Sequence, residues 1–147
     1  MLENVTVSEW MSKPAITVEP GTPLKTAHQI MKERRIRRLP VVTHGHLVGI
    51  VTIGDIREAS PSDATSLSVW ELNYLWDQLK VEQVMTRQVV TVKPETSILD
   101  AARLMLEKKI SGMPVLDVHH NVIGILTESD IFKMLVESRT RAVTESQ

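Results

Sequence analysis

Apolar positions along the chain alternate between short strand-like runs and helical stripes in one order, and the whole order then occurs a second time. Ala15–Val18 and Val89–Val92 are short apolar runs rich in β-branched residues, which predicts strands. Pro20 and Pro94 end them, and Thr22 and Thr96 stand where helix N-caps belong, with Pro23 at the first helical position of the first copy. Leu24, Ala27 and Met31 then form one apolar stripe, and Ile98, Ala101, Ala102 and Met105 form its counterpart. Two strands follow in each copy: Leu39–Val42 with Leu47–Thr52, and Met113–Asp117 with Val122–Thr127. Their turns centre on His44–Gly45 and His119–Asn121. A second helix begins near Asp55 and near Asp130, the latter carrying Ile131, Met134 and Leu135 on one side. Each copy therefore reads β-α-β-β-α.

Residue identities support the duplication. Met11 aligns with Met85, Thr17–Val18 with Thr91–Val92, Pro20 with Pro94, Ile36 with Ile110 and Pro40–Val41 with Pro114–Val115. One extra residue in the His119–Asn121 turn shifts the register, after which GIVTIGDI (49–56) matches GILTESDI (124–131). Two amphipathic segments alike by chance would not keep Pro, Gly, Thr and Asp together. The chain divides into a first repeat over 1–58, a linker over 59–79, and a second repeat with a C-terminal tail over 80–147. A unit of about 50 residues cannot easily bury a sheet face alone, so the two copies are expected to pack together. In the linker, polar REASPSDATSLS precedes VWELNYLWDQLK, where Ser68 and Glu71 make a capping box. Val69, Leu72, Leu75, Trp76 and Leu79 form a stripe, which Trp70 and Tyr74 widen. That arc serves either as a generous core face or as a homodimer interface.

Composition narrows the functional classes. The 147 residues are 42% hydrophobic and 24% charged, a globular balance. No apolar run approaches the ~18 residues of a membrane span, and the start MLENVTVSEW lacks the basic and apolar regions of a signal peptide. A cytoplasmic location is expected. Without cysteine there is no disulfide, thiol nucleophile or thiolate metal site. A net charge of −1 makes no general electrostatic bid for nucleic acid or anionic lipid.

The residues that could carry chemistry are the repeated G-x-x-T-x-x-D: Gly49, Thr52 and Asp55, then Gly124, Thr127 and Asp130. The spacing sets the Asp at the mouth of a helix that follows a strand. A carboxylate there can accept two hydrogen bonds at once, as from the vicinal hydroxyls of a ribose. The Thr hydroxyl and the open N–H groups of the helix start can meet a phosphate. Gly54 and Ser129, just before each Asp, keep the entrance uncrowded. The plainer alternative makes Asp55 and Asp130 ordinary N-caps; the recurrence in both copies favours a ligand.

The duplicated unit, its L/M-P-V-V/L strand and its terminal G-h-h-T-x-x-D-I (h, hydrophobic) resemble a tandem pair of CBS domains, a Bateman module. The segment REASPSDATS is also similar to that of small bacterial acetoin-utilisation-type CBS proteins. The resemblance implies an α/β fold: two β-α-β-β-α repeats packed in pseudo-twofold symmetry. It implies a regulatory module binding AMP, ADP, ATP or S-adenosylmethionine in clefts between the repeats, with no catalysis and no metal required. Carried over by motif, Asp55 and Asp130 would hold the ribose. Thr52 and Thr127, beside Gly54 and Ser129, would face the ribose–phosphate region. Ser12 to Ile16 and Thr86 to Val90 would wall the adenine. Ile36, Arg37 and Arg38, and Ile110, Ser111 and Gly112, would supply apolar contacts and read the base edge through their backbone.

The copies differ at one place. Lys32–Arg38 holds five basic residues against Glu33, a formal +4, where the second copy reads Leu106–Gly112 as LEKKISG. Arg34 and Arg35 fit a solvated helix end. Arg37 and Arg38 suit a phosphate, which implies an asymmetric pair whose first site takes the more highly charged ligand; which cleft the arginines serve stays open. With three Trp, one Tyr and one Phe in the chain, the basic run lacks interleaved aromatics and so argues against nucleic acid. His44, His46, His119 and His120 sit in turns without a third ligand at metal spacing, and His28 lies among polar neighbours on a helix. The expected role is a ligand sensor, homodimeric, that signals to a separate effector protein. A ligand-independent interaction scaffold is the alternative, and an enzyme of unrecognised type is disfavoured by the lack of a nucleophile or poised acid–base pair.

Overall fold

The computed structural model describes residues 2–60 and 67–145, with side chains of residues 2, 4–60 and 67–138. Most of the polar linker expected before the Ser68 cap, residues 61–66, and the end of the C-terminal tail lie outside the described residues. Contacts group the chain into two compact units, one made of Met1–Ala15 with Val90–Gln147, the other of Ile16–Val89.

The Ile16–Val89 unit is built around an antiparallel hairpin, β1 (Arg38–Thr43) and β2 (His46–Thr52). Its two-residue turn places His44 at φ 52° and Gly45 at φ 81°, the left-handed pair that tight hairpins require. Helix α2 (Leu24–Arg34) lays Leu24, Ala27 and Met31 on the hairpin beside Leu39, Val41 and Val51. Helix α3 (Ile53–Ala59) adds Ile56, α4 (Val69–Gln78) adds Trp76, and α5 (Val81–Val84) adds Val81. Backbone bonds join the α4–α5 segment to the entrance of α2: Leu24 N–H to Leu79 O at 2.9 Å and Val81 N–H to Thr22 O at 2.9 Å.

The other unit repeats this plan. Here α1 (Val7–Trp10) takes the place of α5, α6 (Ile98–Lys108) that of α2, β3 (Gly112–Leu116) with β4 (Val122–Thr127) that of the hairpin, and α7 (Glu128–Glu145) that of α3. Its core is Val7, Val92, Ile98, Ala101, Met105, Met113, Val115, Leu126 and Met134. A short 3-10 turn, Leu2–Asn4, precedes α1, and Ile98 N–H to Val5 O and Val7 N–H to Thr96 O, both 2.8 Å, make the matching joint.

Several local expectations change. The apolar runs at Ala15–Val18 and Val89–Val92 are not extended strands; each makes one parallel bridge, Val18 to Val41 and Val92 to Val115. Val18 N–H bonds Pro40 O, and Val42 N–H bonds Val18 O. The next bond of a parallel ladder would need an N–H from Pro40, which has none, and Pro114 repeats the block. The helix caps lie one residue later than expected. Ser97 caps α6 by accepting from Asp100 N–H at 3.1 Å, and Pro23 occupies that position in α2. The Thr22 hydroxyl instead accepts from Glu19 N–H and closes the preceding turn. Arg34 and Arg35 lie exposed at the end of α2, as expected; Arg35 and its counterpart Lys109 both take the left-handed conformation at φ 56° and close α2 and α6.

The linker helix also differs. Ser68 caps α4 by accepting from Glu71 N–H, but no residue of α4 is buried. Only Trp76 and Leu79 pack on the core; Val69 and Leu75 of the expected stripe are exposed. His28, expected among polar neighbours, meets Trp76 edge-to-face at 6.3 Å, and burial there, aided by Lys32 and Arg57, lowers its pKa below the ordinary imidazole value. In α7, Leu135 is exposed while Met134 is buried. Among the described residues no helix is long and apolar enough to cross a membrane.

Candidate functional site

The candidate residues collect at one corner of each unit, where the hairpin ends and the next helix begins. In the Ile16–Val89 unit, Arg38 pairs with Thr52 across the hairpin, and Arg37 O accepts from Ile53 N–H at 2.8 Å. The hairpin ladder thus places Ile36, Arg37 and Arg38 beside Thr52 and Asp55. Thr52, not Asp55, is the N-cap of α3. Its hydroxyl accepts from Asp55 N–H at 3.2 Å while Asp55 Oδ2 accepts from Thr52 N–H at 2.9 Å, a reciprocal capping box. The other Asp55 oxygen, Oδ1, has no hydrogen-bond partner among the described residues. Thr86 lies alongside: its backbone exchanges two hydrogen bonds with Ile50, at 2.9 and 2.8 Å, and its side chain is exposed.

The second corner has the same frame with a different filling. Ser111 O accepts from Glu128 N–H at 3.0 Å, and Gly112 pairs with Thr127. Asp130 Oδ2 accepts from both the N–H and the hydroxyl of Thr127, at 2.9 and 3.2 Å. Ser12 pairs with Ile125 through two backbone bonds, and its hydroxyl donates to Asp130 Oδ1 at 3.0 Å. Asp130 is 4% exposed and is the one buried charged side chain among the described residues.

The remaining candidates divide between core and surface. Ile16 and Ile36 are half-buried against one core, and Val90 and Ile110 against the other. Gly54 and Ser129 are exposed. A Cβ on Gly54 would meet only Thr52 Oγ1, at 3.6 Å, so an ordinary side chain fits there, as Ser129 shows in the other copy. The motif glycines answer to a different constraint. A Cβ on Gly49 would stand 2.6 Å from Met85 Sδ and 3.0 Å from Thr86 O; on Gly124 it would stand 2.7 Å from Met11 Sδ and 3.0 Å from Ser12 O. Met11 and Met85 thus pack on β4 and β2 just before each candidate wall. The only sequence sign of their role is that they align with each other.

Each corner gathers hydrogen-bond acceptors around an Asp, and the backbone of Arg37 and Arg38 lies beside one of them. Among the described residues no three His, Asp or Glu side chains come together as metal ligands.

Comparison with known proteins fits this arrangement. The CBS domain model matches residues 7–62 and 81–137. The chain is 32% identical to the CBS domain pair of protein MJ0100, solved in complex with 5′-methylthioadenosine and S-adenosyl-L-methionine; the match covers 91% of this chain and 98% of that one, with a TM-score of 0.75. It is 30% identical to CBSX2 in complex with AMP, over 92% and 98% of the two chains at a TM-score of 0.75; CBSX2 from Arabidopsis thaliana is a CBS-pair protein. A Vibrio cholerae protein assigned to acetoin utilization, 24% identical over 97% of both chains, shares the fold at a TM-score of 0.77. The chain spans about half the length of its first curated relatives, two proteins of Methanocaldococcus jannaschii that are 31% and 32% identical over 89% and 93% of this chain and 47% and 46% of their own. With both repeats matched, and with a helix, a hairpin and a second helix following each single-bridge segment, the chain belongs to the CBS-domain family as a tandem pair forming a Bateman module.

Proposed function

We propose that this chain is a regulatory ligand-sensing module. It binds adenosine-containing molecules (AMP, ADP, ATP or S-adenosylmethionine) at its Asp55 and Asp130 corners and passes the bound state to a separate effector protein. The observation that carries the reading is the Thr–Asp corner itself, made twice by residues of like spacing and left with an open carboxylate oxygen at Asp55. Related CBS pairs solved with AMP or with S-adenosyl-L-methionine support the choice of ligand class. In this reading residues 1–58 and 80–147 carry one repeat each, joined by 59–79, and the module works in the cytoplasm.

Each carboxylate would accept from a ribose, and the Ser12–Ile16 and Thr86–Val90 segments would lie along the base. Arg37 and Arg38, at the end of the ladder beside Thr52, would favour a phosphorylated ligand at the Asp55 corner. The Thr52 hydroxyl already serves the helix cap, which suits binding rather than catalysis. The protein would act as a homodimer through α4, whose Trp70 and Tyr74 are 85% and 65% exposed and, with Leu67, Glu71 and Leu75, line an open groove of about 390 Å³.

Ligand that binds only the folded state raises its stability, by roughly 2.7 kcal/mol at a hundred times Kd. A thermal-shift series with AMP, ADP, ATP, S-adenosylmethionine and NADH should therefore raise Tm for at least one adenosine ligand, and Asp55→Ala should reduce the shift. If none of them moves Tm, the exposed α4 face favours the second reading, a ligand-independent interaction scaffold.

A further inference from the structure

The two Thr–Asp corners, alike in backbone, offer different numbers of acceptor positions. A carboxylate has about four such positions over its two oxygens. At Asp55 the protein fills one, from Thr52 N–H, and leaves Oδ1 open. At Asp130 it fills three: Thr127 N–H and hydroxyl on Oδ2, and the Ser12 hydroxyl on Oδ1. Ser12 reaches Asp130 because its backbone is bridged to Ile125, on the strand that leads into Thr127. The residue aligned with Ser12 in the other copy, Thr86, holds the same place against Ile50 yet makes no hydrogen bond to Asp55. The difference is therefore one of side chain and rotamer rather than of strand position.

We propose that Ser12 determines which sugar the Asp130 corner distinguishes: its hydroxyl holds the place on Asp130 Oδ1 that one hydroxyl of a vicinal diol would take. The inference rests on the adenosine-binding reading and deepens it. The Asp55 corner reads both hydroxyls of a ribose. The Asp130 corner, with one position left, reads a single hydroxyl and accepts ribose and deoxyribose ligands alike. Ser12 acts through Asp130 and is a positioning residue.

The test is calorimetric titration of the full chain with AMP, 2′-deoxy-AMP and 3′-deoxy-AMP. Wild type is measured first, then Asp55→Asn, which isolates the Asp130 corner and retains an acceptor for the α3 cap. Ser12→Ala and Ser12→Thr are added in that background, with far-UV circular dichroism as the check on folding. A hydroxyl-to-carboxylate bond made only by the ribose ligand is a factor of roughly ten in affinity. The larger deoxy-to-ribo Kd ratio should stay within about threefold in Asp55→Asn and rise to about tenfold on adding Ser12→Ala or Ser12→Thr, since Thr at the aligned position makes no bond to its own Asp. A merely structural role for Ser12 would weaken all three ligands together and leave the ratio where it was. An unmoved ratio in variants that bind AMP, or no AMP binding at Asp130 even with Ser12→Ala, overturns the role of Ser12 alone. Absence of AMP binding by wild type overturns this inference, and the adenosine reading falls with it only if ADP, ATP and S-adenosylmethionine also fail to bind.

Discussion

Two glycines lie under two methionine thioethers, and the constraint is steric rather than conformational. Replacing Gly49 with Ala would bring a methyl group within 2.6 Å of Met85 Sδ and 3.0 Å of Thr86 O. The thioether can swing aside, but the carbonyl is fixed by its bond to Ile50 N–H. Gly49→Ala and Gly124→Ala should each cost about 1–3 kcal/mol in urea unfolding, the usual penalty of overpacking. Gly54→Ala, with open space above it, should cost less than about 0.5 kcal/mol. Equal losses at Gly49 and Gly54 would refute the steric account. Residues near one another in sequence were legible at this scale: the three-residue spacing of Thr52 and Asp55 is enough to place both on a helix entrance. The bond from Ser12 to Asp130 spans 118 positions, and no local pattern announces a contact that depends on how two distant segments pair.

Helix α4 shows what periodicity can and cannot tell. Its apolar residues occupy most of its circumference, so the sequence predicts an amphipathic helix but not which side meets the core. Capping by Ser68 set where it starts. Docking is set at its far end, where Trp76 and Leu79 join the core, His28 meets the Trp76 ring, and Lys25 reaches Asp77 across an exposed 3.4 Å salt bridge. That leaves Trp70 and Tyr74 pointing away. Substitutions on the two sides should therefore separate cleanly. Trp76→Ala should lower unfolding stability by about 2 kcal/mol, less than a fully buried Trp loses. Trp70→Ala with Tyr74→Ala should leave stability unchanged and convert the proposed dimer to monomer in light scattering at micromolar concentration. A wild-type chain that is already monomeric there would remove the dimer. The predicted strands at Ala15–Val18 and Val89–Val92 failed for a simpler reason: β-branched composition was right, but the neighbouring strand offers a proline where a donor was needed.

At the scale of the whole molecule, the repeat seen in the sequence and the units formed by contacts cut the chain at different places. The Ile16–Val89 unit is continuous and holds its entire core, from Val18 to Val81. A fragment of residues 16–89 should therefore unfold cooperatively in urea and give a dispersed amide spectrum. A fragment of residues 1–79 lacks Val81, Val84 and Met85 and the Thr86 backbone bonds to Ile50, and should not. Equal cooperativity in the two fragments would refute this. The other unit is assembled from both ends of the chain, which gives synthesis a direction. Val5 and Val7 leave the ribosome early, yet their partners Thr96, Ile98 and Leu126 come late. At ~5–20 residues per second, the roughly 120 residues from Val7 to Leu126 take about 6–24 s to make. For that interval Val7, Trp10 and Met11 have no unit to enter, while the Ile16–Val89 unit can already close behind them. The segment from Val5 to Met11 thus stays exposed to chaperones for longer than the Ile16–Val89 unit made after it.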